Sequence, residues 1–189
     1  MTHWSDRLVA LDACSDAVAW ARTQPTYATA WRECRRGDWM LWLAGKMSGP
    51  PEGEGRKALV LAAADCAELA LPFIRDEHVR AISEATIEAS RAWACDAISI
   101  VLLREARVSA ASAYASTYAY ASAASASYDA AASASAYAYA SAAADAAAVS
   151  ASAYDASAYA AAYAVARTRV LAQCADLVRV WYPKPPVLP

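Results

Sequence analysis

A long segment without glycine, proline or positive charge dominates the second half of the chain. Between Val108 and Ala166 there is no lysine, arginine, glycine or proline, and more than half of the residues are alanine, spaced by serine and tyrosine. Alanine has the highest helix propensity, and serine costs only about half a kilocalorie per mole more per residue. This segment, called the alanine tract below, therefore predicts helices.

A sheet is the alternative structure for the alanine tract. Residues 133–140 alternate serine or tyrosine with alanine, as silk-like sheets do. The alternation changes phase at residues 123–124 and again at 130–132, and alanine is depleted in strands. We therefore favour helices over strands.

The alanine tract must also fold back on itself. No glycine or proline occurs from Asp96 to Tyr182, and a single helix of that length would extend about 130 Å. A compact chain of 189 residues has a radius of gyration of about 16 Å. We predict turns at residues 127–129, at Asp145 and at 150–155, since serine and aspartate can cap a following helix. The tyrosines supply much of the remaining core.

Helical spacing of apolar residues continues through the first half. It predicts one helix over residues 4–22, a second over 27–36 with Thr26 as its N-cap and Gly37 as its stop, and a third over 39–47 capped by Asp38. Residues 48–55 hold three of the five glycines and predict an exposed loop.

Two further helices are predicted before the alanine tract. One covers residues 56–71 and is ended or kinked by Pro72. The next is capped by Asp76, with Val79, Ile82, Ala85, Ile87 and Trp93 at its apolar positions. The chain thus predicts a single all-α domain of six to eight helices over residues 1–189. It has a conventional half (1–95), an alanine-, serine- and tyrosine-rich half of closely packed helices (96–182) and a proline-rich tail (183–189).

Composition argues against several classes of partner. The formal net charge is −2 and no basic stripe is present, which argues against nucleic acid. No apolar run approaches the roughly 20 residues of a membrane span, and charges interrupt the first twenty residues, so we expect a cytoplasmic protein that binds no membrane. The five cysteines have no metal-ligand spacing and predict reduced, buried thiols without metal or cofactor.

No catalytic constellation can be assembled from the spacing of residues. His3 and His78 are the two histidines, and nothing in the sequence pairs His78 with a particular serine. The carboxylate pairs Asp65 with Glu68 and Glu84 with Glu88 are interpreted as solvated helix faces, since no Glu-x-x-His motif accompanies them. We expect a protein without enzymatic activity.

One cluster is rich in residues that dominate binding surfaces. Arg35, Arg36, Asp38, Trp39 and Trp42 are candidates for partner contact, because tryptophan and arginine are enriched in binding hot spots. In the alternative that we favour, Trp31, Trp39, Trp42 and Leu43 form the core that joins the first helices. Arg35 and Arg36 then lie at a helix C-terminus, where the helix dipole favours positive charge.

Three isolated aspartates form a second candidate group. Asp129, Asp145 and Asp155 are the only charged residues of the alanine tract. We favour a role as helix caps; alternatively, they bind a cationic or sugar-like ligand together with nearby tyrosines. The candidate residues are Tyr128, Asp129, Tyr137, Tyr139, Asp145, Tyr154 and Asp155.

The order of these features resembles a family of bacterial immunity proteins found with polymorphic toxin systems. The resemblance rests on Ala30-Trp31, residues 36–43 with their Gly-Asp-Trp sequence, 58–62 and Leu71-Pro72, then Ala92-Trp93, the alanine tract, 174–179 and Tyr182-Pro183. The tract differs from what that family leads us to expect by being rich in serine and poor in charge. The resemblance implies an all-helical protein that binds and neutralises a partner, and it carries over no catalytic residue.

Three kinds of function follow as expectations. The first is an immunity-type inhibitor that blocks a toxin or effector protein by direct contact. The second is a defence or counter-defence protein that sequesters a small molecule in a pocket of tyrosine, serine and aspartate. The third is an ice- or surface-binding helical protein, which the scarcity of threonine on a regular helix face argues against. A homo-oligomer is compatible with each, because an alanine-rich helix face can pack against its own copy.

Overall fold

A computed structural model describes residues 3–50, 53–74, 77–117 and 156–189, with the side chains of 3–50, 53–72, 74, 77–109 and 165–189. Within these residues there are eight α-helices and no strand, which confirms the predicted all-α fold. The helices are α1 (Asp6–Ala10), α2 (Ser15–Arg22), α3 (Tyr27–Glu33), α4 (Gly37–Met47), α5 (Glu54–Glu68), α6 (Glu77–Ala94), α7 (Ile100–Thr117) and α8 (Ala156–Trp181), with a 3₁₀ turn at Leu71–Phe73.

The first predicted helix is in fact two helices. Asp12 has a φ of 64° and so adopts the left-handed conformation that ends α1. Its N–H donates to Val9 O at 3.0 Å, and the Ala13 N–H donates to Leu8 O at 3.0 Å. These two bonds form a Schellman motif, in which aspartate takes the place usually held by glycine. The prediction of one helix over residues 4–22 was wrong because apolar spacing alone does not detect such a break.

A Schellman motif with aspartate also ends α6. Asp96 has a φ of 60°, and the Ala97 N–H donates to Ala92 O at 2.8 Å. The Asp96 carboxylate also forms an ion pair with Lys57, 2.6 Å from its Nζ atom, which ties this turn to α5. The chain therefore reverses direction with aspartate where glycine is absent.

Several predicted helix ends are confirmed and others shift. Thr26 caps α3 as predicted, its hydroxyl accepting a bond from the Thr29 N–H at 3.1 Å. However, α3 ends at Glu33, and Gly37 begins α4 rather than stopping α3. Pro72 lies in the 3₁₀ turn that follows α5, as its rigid ring leads one to expect. The predicted cap Asp76 lies outside the described residues.

The main core lies between α2, α3, α4, α5 and α8. The buried positions of α8 are spaced three and four residues apart, so that one stripe of the helix faces α4 and α5. Small residues predominate on the matching faces of α4 and α5, and they allow the helices to approach closely. The buried residues of the three helices include Leu41, Ala44, Gly45, Leu59, Ala62, Ala63, Cys66, Ala67, Val170, Leu171, Cys174, Ala175 and Val178.

Gly37 lies at a close contact between α4 and α8. A Cβ atom at this position would collide with the Cβ of Cys174 and would lie 2.7 Å from the backbone nitrogen of Ala175. Because the second contact is with backbone, a side-chain movement cannot relieve it. Glycine is therefore required here by the packing of the two helices.

A second, smaller core joins α6 to α7. It contains Trp93, Ala94 and Leu103, with Val60 and Leu61 of α5 packed against it. Of the apolar positions predicted for α6, Val79, Ile87 and Trp93 are buried and Ile82 is partly buried. Ala85 is exposed, so the helix presents a narrower apolar face than predicted.

Charged side chains join α5 to α6. Arg91 binds Asp65 at 3.0 Å and Glu68 at 2.6 Å across the two helices, and Glu88 at 3.2 Å on its own helix. These carboxylates raise the pKa of Arg91 above its ordinary value. Asp65 also accepts a bond from the Trp181 indole at 2.7 Å. Asp65, Glu68 and Glu88 are thus parts of one network between helices, and Glu68, Glu84 and Glu88 are also exposed, in agreement with the predicted solvated faces.

The cysteines divide into two groups, all of them free thiols. Cys34, Cys66 and Cys174 are buried, whereas Cys14 and Cys95 are exposed, contrary to the prediction of five buried thiols. The Cys66 thiol points toward the Cys174 carbonyl oxygen, 3.7 Å away. The neighbouring Cys174 thiol and burial both raise the pKa of Cys66, so this thiol stays protonated between α5 and α8.

The two helices at the borders of the alanine tract pack against the first half of the chain. α7 contacts α6, and α8 contacts α4 and α5. The predicted turns at 127–129, Asp145 and 150–155, and the alternating residues 133–140, lie outside the described residues.

Replacing Gly37 by alanine tests the contact between α4 and α8. We expect Gly37→Ala to lower the free energy of unfolding by about 1–3 kcal/mol, because the added methyl group overlaps α8 backbone. Gly45→Ala in the same helix is the matched control: its Cβ would lie 3.7 Å from Leu59, and we expect a gain of about 0.5–1 kcal/mol. Urea titrations followed by circular dichroism measure both changes. Equal effects of the two substitutions would contradict the packing argument.

Replacing Asp12 by glycine tests the turn after α1. Asp12→Gly should raise the free energy of unfolding by about 1 kcal/mol, because glycine adopts a positive φ without the steric cost borne by aspartate. Asp12→Ala should lower it, since alanine carries that cost and has no polar side chain to stabilise the turn. Thermal melts of the two variants beside the wild-type chain give the order. An alanine variant as stable as the glycine variant would count against this account of the turn.

Candidate functional site

The C-terminal end of α3 is capped by a side chain from α8. Arg179 Nε donates to Trp31 O at 3.1 Å, its Nη2 donates to Cys34 O, and its Nη1 lies 2.9 Å from Asp176 Oδ1. A helix C-terminus carries unpaired carbonyls and partial negative charge, which a guanidinium satisfies. The prediction of Arg35 and Arg36 at this helix end is wrong, because α3 ends at Glu33 and Arg179 binds its terminal carbonyls.

Trp31 belongs to the core, as the favoured interpretation predicts. It is 4 % exposed, and its indole N–H donates to Tyr182 O at 2.9 Å. The Tyr27 hydroxyl donates to Pro186 O at 2.8 Å, and burial raises the pKa of that hydroxyl above its ordinary value. The proline-rich tail is thereby held along α3.

Three partly buried tryptophans line the same cavity: Trp20, Trp39 and Trp42. The ring centroids of Trp20 and Trp39 are 6.1 Å apart, with the rings inclined by 51°. Arg36 Cζ lies 4.2 Å from the centroid of Trp39, and Lys46 Nζ lies 5.8 Å from that of Trp42. Cations at these distances are attracted to the indole faces. These five residues are called the tryptophan surface below.

Asp38 holds Arg36 in place. Its carboxylate accepts two bonds from the guanidinium, Nε to Oδ1 at 2.8 Å and Nη2 to Oδ2 at 2.6 Å. A two-bonded pair fixes the plane of the guanidinium as well as its position. Asp38 was predicted as the N-cap of α4, but that helix starts one residue earlier, at Gly37, with Arg36 in the cap position. Asp38 therefore lies in the first turn and orients Arg36 over Trp39.

A small apolar cavity lies behind the tryptophan surface. Its volume is about 50 Å³, and five of the seven tryptophans line it: Trp4, Trp20, Trp31, Trp39 and Trp42. Pockets that hold small molecules usually measure about 300–1,000 Å³. This cavity therefore has room for a few atoms of a side chain and does not hold a whole ligand.

The structure brings part of the predicted site together. Arg36, Asp38, Trp39 and Trp42 lie within the contacts just described, while Arg35 is exposed and faces α8 instead. The remaining candidates lie outside the described residues: Tyr128, Asp129, Tyr137, Tyr139, Asp145, Tyr154 and Asp155. Trp20 and Lys46 are not among the candidates predicted from the sequence. Lys46 follows Trp39 by seven residues, a helical spacing that could have indicated a shared face.

Other polar groups have local partners. His3 Nδ1 lies 2.7 Å from Ser5 Oγ, a pair that the sequence did not suggest. Ser5 is fully buried at the start of α1, so we interpret the pair as structural and not catalytic. His78 is exposed in the first turn of α6. Among the described residues no three histidine, cysteine, aspartate or glutamate side chains are placed to hold a metal ion. In the same part of the chain, no helix is long and apolar enough to cross a membrane.

Removing the Arg179 side chain tests the cap on α3. We expect Arg179→Ala to lower the free energy of unfolding by about 2–3 kcal/mol, because the Trp31 and Cys34 carbonyls lose a charged donor. Arg169→Ala, an exposed position on the same helix, is the control and should change stability by less than about 0.5 kcal/mol. Urea unfolding followed by tryptophan fluorescence compares them. Two variants of equal stability would remove Arg179 from this role.

No known protein family, curated protein or solved structure matches this chain. The resemblance to immunity proteins therefore stays a prediction made from the sequence.

Proposed function

We propose that this chain is a non-enzymatic binding protein that neutralises a toxin or effector protein by direct contact through the tryptophan surface. The observation that carries the proposal is the pair of half-buried indoles on α4, Trp39 and Trp42, each with a cation over its ring. The proposal assigns no cofactor and no catalytic residue.

Residue types and their exposure support a protein partner. Tryptophan and arginine are the residues that most often contribute large binding energies, because they offer a broad apolar area together with a polar or charged group. A half-buried indole is held by its own protein on one side and is available to a partner on the other. The tryptophan surface provides three such rings next to one another.

Rigidity of α4 supports tight binding. Met40, Leu41 and Ala44 are buried against neighbouring helices, and Gly37 abuts α8. The rings on the outer face of this helix are thus already ordered before a partner arrives. Ordering side chains on binding costs about 0.5–1.5 kcal/mol for each long side chain, and a preformed surface avoids much of that cost.

Charge indicates the chemistry of the partner. Lys46 is exposed and has no ion pair among the described residues, and it lies beside Trp42. A carboxylate on the partner would bind Lys46 while an apolar side chain next to it covers Trp42. We therefore infer an acidic contact region with an apolar residue at its centre.

The alternatives receive less support from these contacts. The cavity of about 50 Å³ behind the tryptophan surface is too small to enclose a small molecule. The tyrosines and aspartates expected to line a ligand pocket lie outside the described residues, as does much of the alanine tract that suggested ice or surface binding.

Capture of the partner followed by a growth assay tests the proposal. The tagged chain is incubated with a lysate of its native host, and the mass of any bound protein is read by native mass spectrometry. We expect one protein at fixed stoichiometry, which stops growth when it is expressed alone and does not when this chain is expressed with it.

Two charge reversals decide whether the tryptophan surface is the contact. Lys46→Glu should weaken binding at least about tenfold, because it repels the acidic partner, and should abolish protection. Lys184→Glu, at an exposed position in the tail, should bind and protect as the wild type does. A captured protein that does not affect growth would refute the neutralising function. Full protection by Lys46→Glu would refute the assignment of the surface.

A further inference from the structure

A separate, wide cleft with charged and apolar lining lies between the α3–α4 connection and the outer face of α8. Its volume is about 630 Å³, and it is open to solvent. The polar side chains that line it are Arg35, Thr168, Arg169, Gln173 and Asp176. None of the residues that line the cavity behind the tryptophan surface comes from α8, so the two sites are distinct.

The cleft carries net positive charge. Arg35 and Arg169 are exposed, and neither forms an ion pair with a described residue. Asp176 is the acidic group of the lining, and its carboxylate is bound by Arg179 at 2.9 Å. Its charge is therefore largely offset, and no described residue compensates the guanidinium groups of Arg35 and Arg169.

We propose that this cleft binds the phosphate group of a small anion, a function beyond the contact with a protein partner and independent of it. Guanidinium groups bind phosphate oxygens through two parallel hydrogen bonds, and two arginines can hold one phosphate from different sides. The Gln173 amide adds a further donor. Phosphate is preferred over a single carboxylate because it has more acceptor oxygens for these donors.

The apolar part of the lining distinguishes two sources of phosphate. Val165, which is 71 % exposed, and Ala172 form an apolar strip along the same face of α8. Free phosphate makes no use of such a strip, whereas the body of an organic phosphate can lie on it. Affinity for an organic phosphate above that for inorganic phosphate would therefore identify the organic compound as the ligand class.

Titration of the full chain with defined phosphates tests the proposal. Adenosine monophosphate and inorganic phosphate are each added at low ionic strength, with adenosine as the uncharged control, and binding is measured by calorimetry. We expect both phosphates to bind and adenosine not to bind. Tighter binding of adenosine monophosphate assigns the cleft to organic phosphates, and equal binding assigns it to free phosphate.

Variants decide whether the cleft is the site. Arg35→Ala and Arg169→Ala should each weaken phosphate binding at least about tenfold, since each removes charge-assisted hydrogen bonds. Both positions are exposed, so the helix content should not change. Arg7→Ala, at an exposed position on α1, is the matched control and should bind as the wild type does. Absence of binding up to millimolar phosphate, or equal loss in all three variants, would overturn the proposal.

Discussion

α8 is held against α3 and α4 by two contacts that depend on single residues. The first is the absence of a side chain at Gly37, which lets the backbone of α4 meet that of α8 at Cys174 and Ala175. The second is Arg179, which satisfies the terminal carbonyls of α3 from a position 145 residues away from Cys34. The terminal carbonyls of α3 need a hydrogen-bond donor, and Arg179 can supply one only when α8 packs this close to α3. The core and both proposed sites depend on that placement.

The tryptophan surface follows from how α4 is fixed. Its inner face is buried against α5 and α8, so Trp39, Trp42 and Lys46, spaced three and four residues apart, lie together on the outer face. Asp38 belongs to the first turn of the same helix and places the Arg36 guanidinium over Trp39. The rigid core thus sets the position of every group that we assign to partner contact.

The connection between α3 and α4 separates the two proposed sites. Arg35 faces the cleft beside α8, while the next residue, Arg36, covers Trp39. Cys34 and Arg36 have backbone angles outside the helical region, and in extended chain successive side chains point in opposite directions. Arg179 contributes to the cleft as well, because its bond to Asp176 offsets the one acidic group of the lining. One structural arginine therefore supports the fold and leaves the cleft positive.

Sequence by itself determined the elements whose causes are local. Alanine content and apolar spacing specify helices, Thr26 starts α3 and Pro72 follows α5, because propensity, capping and ring geometry act over a few residues. Two parts of the family resemblance specify packing: Gly37 and residues 174–179 join α8 to α4 and α3.

Tertiary structure decided where two helices end and which tryptophans are buried. An aspartate can begin a helix or end one, and only the backbone shows that Asp12 and Asp96 end theirs. A tryptophan can be core or surface, and the position of α8 and the tail determines that Trp31 is buried while Trp39 and Trp42 keep exposed edges. These outcomes depend on contacts between residues far apart in the chain, which the spacing within one helix does not encode.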